Sequence, residues 1–298
     1  MQATPEVILG TTIGLIAALI WAITVNVYKS QSSAIKPVGI TALKMWLAFV
    51  FMAVVILSPL RTGPFSVPLE SVFYLGGSIL LGASIGDVIY LSSQQRIGVC
   101  YAYPISNIYP ITTYLLAIPL LGETPSMVRF AGVVAGVVGV VIISYERHAK
   151  NDETHKRLDF VGVGLALLSA LLSSIATICL QIGSSGINPI DANFVRVTIG
   201  SLFFLPVFAI AKSQGLKTPR NATIKILIAG FFGMALGSLM YVYVVQLVGA
   251  ATASLLGSTS TLFAVPISVI FLKERITART LLGIMVAVIG VMVVVSTT

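Results

Sequence analysis

One long segment of this sequence occurs twice. Residues 82–145 align without a gap with residues 233–296, which lie 151 positions further along the chain. Residue types that are rare in the chain recur in register, among them Tyr90 with Tyr241, Gln95 with Gln246 and Glu123 with Glu274. Self-similarity of this kind indicates a fold made of two related units. Any fold proposed for the chain therefore has to explain both copies.

The composition excludes a water-soluble domain. Hydrophobic residues make up 57% of the 298 positions, charged residues only 9%, and the mean hydropathy is +1.01. Soluble domains have about a quarter charged residues. The apolar residues form runs of about twenty, the length that crosses roughly 30 Å of hydrocarbon. Because a segment inside lipid must satisfy its own backbone, the runs predict helices. We expect a multi-pass protein that is embedded in the lipid bilayer of the cell membrane, specifically the inner membrane.

Ten apolar runs can be delimited by charges, prolines and glycines. They lie near residues 7–28, 37–58, 72–93, 98–120, 125–145, 160–183, 192–211, 224–247, 250–272 and 278–296. The predicted fold is an all-α membrane protein of ten transmembrane helices in two inverted five-helix repeats. The inversion follows because five is odd, so that the second repeat enters the membrane from the opposite side. The predicted domains are residues 1–145, a polar linker at 146–159, and residues 160–298.

The net charge of +8 comes from basic residues in the short connections. No basic stripe with interleaved aromatic residues is present, so we expect no nucleic-acid partner. Most lysines and arginines follow the odd-numbered runs, which predicts that those loops are cytoplasmic and that both termini are outside.

Cysteine and histidine give no sign of a metal site. Cys100 and Cys179 lie within or beside apolar runs and have no partner motif, so neither a disulfide nor a metal site is expected, and we expect no cofactor. His148 and His155 both fall in the linker. A solvated connector is favoured there over a catalytic pair.

Three ionisable residues lie within the predicted helices, where a charge is costly and therefore marks a candidate functional position. Lys44 and Arg196 occupy matched positions in the two halves, whereas the counterpart of Asp87 is Ser238. Two interpretations remain open for the cations. They contact the substrate, or they extend to headgroups or form a structural pair such as Lys44 with Asp87. Asp87 is also the candidate for a coupling proton.

The most polar stretch within an apolar run is residues 101–110, YAYPISNIYP. Its two prolines free backbone carbonyls, and broken helices at the middle of the membrane often line a substrate cavity. The counterpart at residues 252–261 is small and rich in hydroxyl groups. Interhelical hydrogen bonding is the alternative role. The predicted substrate-binding residues are Trp21, Lys44, Asp87, Tyr90, Tyr103, Asn107, Arg196, Tyr241 and Ser258.

Other duplicated residues predict structural roles. Glu123 and Glu274 lie in tight turns, where a carboxylate favours the N-terminus of the helix that follows. Small residues spaced along one helix face allow two helices to approach closely. Close packing of the fifth and tenth helices is predicted from Gly132, Gly136, Gly139, Gly283 and Gly290.

These motifs together resemble the EamA module of the drug/metabolite transporter superfamily. The matching residues are Gly14, Trp21, Lys44, Pro110, Gly122, Glu123, Gly132 and Gly139 in the first half, and Arg196, Glu274, Gly283 and Gly290 in the second. The resemblance implies a ten-helix inverted-repeat transporter for small metabolites, with both termini cytoplasmic, contrary to the charge pattern. Thr261 and Lys273 replace an expected proline and glycine. The first helix lacks the membrane acid of small multidrug relatives, which puts their drug/proton mechanism in doubt here.

The expected function is secondary transport of a small amphipathic solute, amino-acid-like or similar, by alternating access. The expected partners are that small-molecule substrate and a coupling proton, and the protein is expected to be a monomer or a weak dimer. A lipid-linked sugar flippase is the alternative, and it would need a lateral opening. A membrane enzyme is a remote alternative, since no constellation of acid, base and nucleophile is present. We predict a central cavity between the first four helices of each half.

Overall fold

The computed structural model describes residues 5–59, 61–121, 125–149, 159–274 and 276–296. Every regular element within these residues is helical, which confirms the all-α class. The first half contains α1 (Pro5–Gln31), α2 (Pro37–Ile56), α3 (Leu69–Ser78), the π-helix π1 (Ile79–Gly86), α4 (Asp87–Ile97), α5 (Val99–Ser106), α6 (Tyr109–Leu121) and α7 (Met127–Ala149). The second half contains α8 (Phe160–Ser184), α9 (Pro189–Ser213), α10 (Arg220–Gly230), the π-helix π2 (Phe231–Leu236), α11 (Gly237–Ser258), α12 (Ser260–Phe271) and α13 (Ala278–Ser296).

The predicted linker begins as helix, since residues 146–149 form the last turn of α7 and include His148. Residues 150–158 of that linker, with His155, lie outside the described residues, and so does Glu123.

Six helices in the described part of the chain are long and apolar enough to cross a membrane. They are Pro5–Gln31, Pro37–Ile56, Leu69–Ile97, Phe160–Ser184, Pro189–Ser213 and Arg220–Phe271, and shorter apolar helices lie at Phe130–Ile143 and Ala278–Val293. The difference from ten continuous helices has two local causes. The predicted eighth and ninth runs lie in one apolar segment, Arg220–Phe271, within which the backbone is non-helical at Gly249, between the two runs. The predicted fourth run is divided into α5 and α6.

The division between α5 and α6 lies at Asn107 and Ile108. Pro110 is the second residue of α6, and a proline has no N–H to continue the hydrogen-bond ladder of a preceding helix. At the end of α5 the Tyr103 carbonyl accepts hydrogen bonds from both the backbone N–H and the side-chain amide of Asn107, each at 2.9 Å. The predicted break in this polar stretch is therefore confirmed.

Two glycines turn the chain sharply at equivalent positions of the two halves. Gly98 precedes α5 with a φ of +82°, and Gly249, within α11, has a φ of +77°. This left-handed backbone region is open to glycine at no steric cost. Each turn precedes the segment that carries the polar stretch of its own half.

Helices of one half pack mainly against helices of the other. α1 lies against α10, α11 and α12, whereas α8 lies against α3, π1, α4, α5 and α6. α2 packs against α9, and α7 packs against α13. This arrangement brings α1–α6, π1, α8, α9, π2 and α11 around one central space.

The pair α7 and α13 is held by close backbone approach. A Cβ added to Gly139 would lie 2.4 Å from the Ala287 nitrogen, and one added to Gly290 would lie 2.4 Å from the Gly136 nitrogen. Such distances leave no room for a side chain, so the predicted glycine contact is confirmed.

Glu274 stabilises a different helix from the one predicted. Its carboxylate accepts hydrogen bonds from the backbone N–H groups of Val99 at 3.0 Å and Cys100 at 2.8 Å. It therefore caps α5 in the first half and not α13, the helix that follows it. The physical reason is that the turn at Gly98 leaves the first N–H groups of α5 without intrahelical partners, and a carboxylate satisfies them in favourable dipole alignment.

Candidate functional site

A central cavity of about 260 Å³ lies between the two halves. In chain order, it is lined by residues of α1, α2, α3, π1, α4, α5, α6, α8, α9, π2 and α11. Its size is close to the lower end for small-molecule sites, roughly 300–1,000 Å³. Eight of the nine predicted site residues line this cavity: Trp21, Lys44, Asp87, Tyr90, Tyr103, Asn107, Arg196 and Tyr241. Ser258 is placed elsewhere. Its hydroxyl donates to the Leu255 carbonyl at 2.7 Å, and it lines a much smaller cavity that it shares with Asn107.

Lys44 and Asp87 form a buried ion pair in the cavity wall. The Lys44 Nζ lies 2.8 Å from Asp87 Oδ1, and the Thr41 hydroxyl donates to Asp87 Oδ2 at 2.6 Å. Thr41 and Lys44 are three residues apart on α2, so both side chains leave the same helix face. The Nζ also lies 4.9 Å from the centre of the Tyr28 ring, within the range of a cation–π contact.

Arg196 occupies the corresponding place in the second half, but without a carboxylate. Its Nη1 donates to Asn193 Oδ1 at 3.2 Å and to the Ser238 hydroxyl at 3.3 Å. Ser238 in turn donates to Asn193 Oδ1 at 2.8 Å. Asn193, like Thr41, lies three residues before the cation on the same helix. Arg196 is only 6% exposed, and its Nε has no hydrogen-bond partner among the described residues.

Aromatic rings form much of the remaining wall. Trp21 lies 5.3 Å from Tyr241 between ring centres, and its Nε1 donates to the Gly233 carbonyl at 2.9 Å. That carbonyl belongs to π2, and π-helical segments leave carbonyls available for such contacts and are frequent at functional sites. A second aromatic pair is formed by Tyr90 and Tyr103, whose ring centres lie 5.8 Å apart.

The predicted alternative role of the polar stretch, hydrogen bonding between helices, is also present. The Tyr103 hydroxyl donates to the Ser260 hydroxyl of α12 at 2.8 Å. The Tyr103 hydroxyl therefore links α5 to α12, while the residue also lines the cavity. The two roles are compatible in one residue.

Several lining residues were missed by sequence reasoning. They include Thr24, Tyr28, Ser169, Ser173 and Thr177, all of them hydroxyl-bearing, whereas Ser106 and Tyr109 belong to the stretch 101–110 that the sequence predicts to line a cavity. Serine and threonine are common in membrane helices for packing reasons, so their identity alone gave no signal. Thr41 and Asn193 had a detectable signal, since each precedes a buried cation by three residues at equivalent positions of the two halves.

Two further ion pairs lie towards the ends of the helices. Arg61 makes two hydrogen bonds to Asp191, of 2.5 and 3.1 Å, and the hydrogen bond from its guanidinium to that carboxylate raises the pKa of Arg61. Arg96 lies 3.1 Å from Asp159. Slight burial acts to raise the pKa of Asp159, but hydrogen bonds from the Gly162 N–H and from Arg96 outweigh it, and the pKa lies below its usual value.

Sequence comparisons match the chain to transport proteins. The model of the EamA-like transporter family matches residues 8–145 and 160–296. An uncharacterized transporter of Archaeoglobus fulgidus is 27% identical over 226 residues, 76% of this chain and 77% of that protein. The pseudopaline exporter CntI of Pseudomonas aeruginosa is 28% identical over 134 residues, 45% of this chain and 46% of the exporter. The chloroplastic phosphoenolpyruvate/phosphate translocator 2 of Arabidopsis thaliana is 21% identical over 284 residues, 89% of this chain and 71% of the translocator.

A solved crystal structure superposes with a TM-score of 0.63 at 17% sequence identity, covering 95% of each chain. At that identity the likeness concerns the fold alone. The family and the names of the relatives point to transporters and not to enzymes.

Proposed function

The chain belongs to the EamA-like transporter family, and from that premise we propose that it is a secondary transporter moving a small amphipathic metabolite by alternating access. The protein is a multi-pass membrane protein whose family moves small solutes across the bilayer. The observation that carries the proposal is the central cavity, because both halves supply buried ionisable and aromatic residues to one space of metabolite size. Cavities of this kind at a repeat interface are typical of secondary transporters.

The proposed architecture is ten transmembrane helices in two inverted five-helix repeats, residues 1–145 and 160–298, joined by the linker 146–159. Three correspondences support it. A π-helix interrupts a long helix in each half, at Ile79–Gly86 and Phe231–Leu236. A glycine of positive φ follows in each half. The packing is also reciprocal, since α1 lies against α10–α12 as α8 lies against α3–α6. In this architecture the halves rock against each other around the cavity.

The proposed substrate contacts are the predicted residues that line the cavity. Lys44 and Arg196 provide positive charge, while Tyr90, Tyr103 and Asn107 orient the solute, and Trp21 and Tyr241 offer aromatic surface. Ser258 acts through Asn107, which lines both its small cavity and the central one. The solute is of amino-acid size and amphipathic, since charged and aromatic groups share the wall.

Asp87 is the proposed carrier of a coupling proton, and the protein works as a monomer or a weak dimer. The support is positional: the carboxylate lines the cavity and is 19% exposed, so it is within reach of a proton entering that space. Protonation would release Lys44 and alter the charge presented to the solute. Membrane carboxylates in such positions commonly act in proton relays.

Transport by purified protein in proteoliposomes tests the function. A thermal-shift screen of soluble metabolites identifies solutes that bind the native protein, since such ligands raise its melting temperature. A solute that binds is then labelled, and we expect saturable uptake and exchange against unlabelled solute on the other side. Saturable binding without any exchange would contradict a carrier.

The coupling proton is tested separately. With the same solute, Asp87→Asn is expected to retain exchange and to lose acceleration by a pH gradient. Thr41→Val is the matched control, because it removes one hydrogen bond to Asp87 and keeps the titrating group. An unchanged response to the gradient in Asp87→Asn would remove Asp87 from the mechanism.

A further inference from the structure

The two buried cations of the cavity differ in how their charge is balanced. Lys44 lies 2.8 Å from a carboxylate. The position that corresponds to this acid in the second half is Ser238, whose hydroxyl lies 3.3 Å from Arg196 Nη1. Among the carboxylates that the structure describes, none lies within 4 Å of the Arg196 guanidinium. One half therefore carries its own counterion, and the other half has the same arrangement without it.

The acidic residues nearest in the fold are already engaged. Both oxygens of Asp87 have partners, Lys44 and Thr41. Asp191, on the same helix as Arg196, binds Arg61. Glu274 caps α5. A positive charge that is 6% exposed thus remains without a counterion in the described part of the chain.

Such a charge is unfavourable unless something balances it. Removing an ion from water costs several kcal/mol in proteins, and charged residues inside membrane segments normally pair or face a pathway. The Nη1 of Arg196 is committed to Asn193 and Ser238, which fix the direction of the guanidinium. Its Nε has no partner, and no protein group is bonded to Nη2 among the described residues. Because Nε is itself buried, Nη2 is the guanidinium nitrogen left to receive an oxygen of a carboxylate.

We propose that Arg196 is the anion-binding residue of the cavity and that the solute carries a carboxylate, which supplies the charge absent at Ser238. The proposal rests on the transport function proposed above and names its substrate class. The charges lining the cavity sum to one positive charge, because Lys44 and Asp87 cancel. A solute with a single negative charge therefore neutralises the site.

The rest of the cavity favours an organic acid over a cationic or zwitterionic solute. A solute ammonium group would have no free carboxylate to pair with among the described cavity residues, because Asp87 is already doubly bonded. The aromatic rings of Trp21 and Tyr241, packed 5.3 Å apart, suit an apolar body attached to the carboxylate. The preferred solute is thus a small monocarboxylate with an apolar or aromatic body.

The test uses the full-length protein in detergent and a probe series of one shape and different charge. Phenylacetate carries the carboxylate, phenylacetamide is its neutral analogue, phenethylamine is a cation and phenylalanine is a zwitterion. Acetate, lactate and pyruvate, each with its amide, extend the series to smaller bodies. We expect the acids to raise the melting temperature of the wild type in a concentration-dependent way, at affinities about tenfold or more tighter than those of the amides, since hydrogen bonds to charged groups are the stronger ones.

Ser238→Asp is the decisive variant, because it places an acid beside Arg196 as Asp87 lies beside Lys44. This variant is expected to fold, to bind the acids at least about tenfold more weakly and to melt no lower than the wild type. Ser238→Asn introduces a side chain of nearly the size of aspartate without its charge, so acid binding that is weaker in Ser238→Asp than in Ser238→Asn is due to the introduced charge. Arg196→Gln is expected to abolish the preference for acids, whereas Arg220→Gln, an exposed cation at the start of α10, leaves it unchanged.

The outcomes separate the proposal from the transport function. Equal stabilisation of the wild type by acids and their amides would overturn the anion site, and so would undiminished acid binding in Ser238→Asp. Either result leaves carrier-type exchange of a neutral solute possible in proteoliposomes. Conversely, a carboxylate that binds through Arg196 but is never exchanged across the membrane would contradict transport and leave the anion site standing.

Discussion

Lys44 and Asp87 lie 2.8 Å apart and tie α2 to the start of α4, immediately after π1. The pair is largely shielded from solvent, with side-chain exposures of 7% and 19%. It therefore fixes the position of the helix that also carries Tyr90 into the cavity. Since π1 ends at the residue before Asp87, the ion pair holds the interrupted helix at the point where its regular hydrogen bonding resumes.

Asp87→Asn is expected to lower the unfolding free energy by about 3 kcal/mol, because it leaves Lys44 buried without a counterion. The measurement is unfolding by SDS in mixed micelles. The double variant Lys44→Met with Asp87→Asn removes both charges and is expected to recover most of the loss, as a thermodynamic cycle requires for a coupled pair. A double variant less stable than Asp87→Asn alone would show that the two charges are not coupled.

The positions of the charged cavity residues and the possible pairing of Lys44 with Asp87 could be predicted from the sequence, whereas the partners of Arg196 could not. Lys44, Asp87 and Arg196 stand out because ionisable groups are rare in apolar runs. The contact of Arg196 with Ser238 depends on the register between α9 and α11, which periodicity within one helix does not contain. Ser258 was wrongly grouped with the cavity for the same reason, since a hydroxyl-rich run shows no preferred face.

The fold shows the same distinction between local features, which the sequence predicts, and contacts between distant segments, which it does not. The apolar runs predicted helices, and the prolines around Asn107 predicted the break between α5 and α6, because proline acts locally. The π-helices gave no signal, since Ile79–Gly86 has the composition of any apolar helix. The role of Glu274 was assigned to the wrong helix because its partner, the N-terminus of α5, lies 175 residues earlier in the chain.

Arg61→Gln is expected to destabilise the protein far more than Arg96→Gln. The first change leaves Asp191, whose side chain is 2% exposed, without its counterion, and a buried charge that has lost its partner is strongly destabilising. The pair of Arg96 and Asp159 is exposed, at 50% and 28%, so its loss is expected to be below about 1 kcal/mol. The same SDS titration measures both. Equal losses would mean that burial does not set the strength of these pairs.

Gly98→Ala is expected to lower stability more than Gly249→Ala, although both residues have a positive φ. With ψ values of 168° at Gly98 and 165° at Gly249, this backbone region is essentially restricted to glycine, so alanine costs about 1–3 kcal/mol at either position. At Gly249 a Cβ would meet nothing within 4 Å. At Gly98 the added Cβ would lie 3.0 Å from Glu274 Oε1 and would disturb the cap of α5. In a Glu274→Ala background the two alanines are expected to have equal effects. A persisting difference would assign the excess to a contact other than Glu274.

Tryptophan fluorescence can report whether a solute occupies the cavity. The chain has two tryptophans, and of these only Trp21 is among the described residues that line the cavity. Trp46 lies outside it, donates to the Ser201 carbonyl at 3.2 Å and contacts Phe208. Trp46→Phe is expected to keep a saturable change of emission when phenylacetate is added, because the remaining indole faces the solute. Trp21→Phe is expected to show no change, with binding followed in parallel by the melting temperature. A response carried by Trp46 alone would place the solute outside the central cavity.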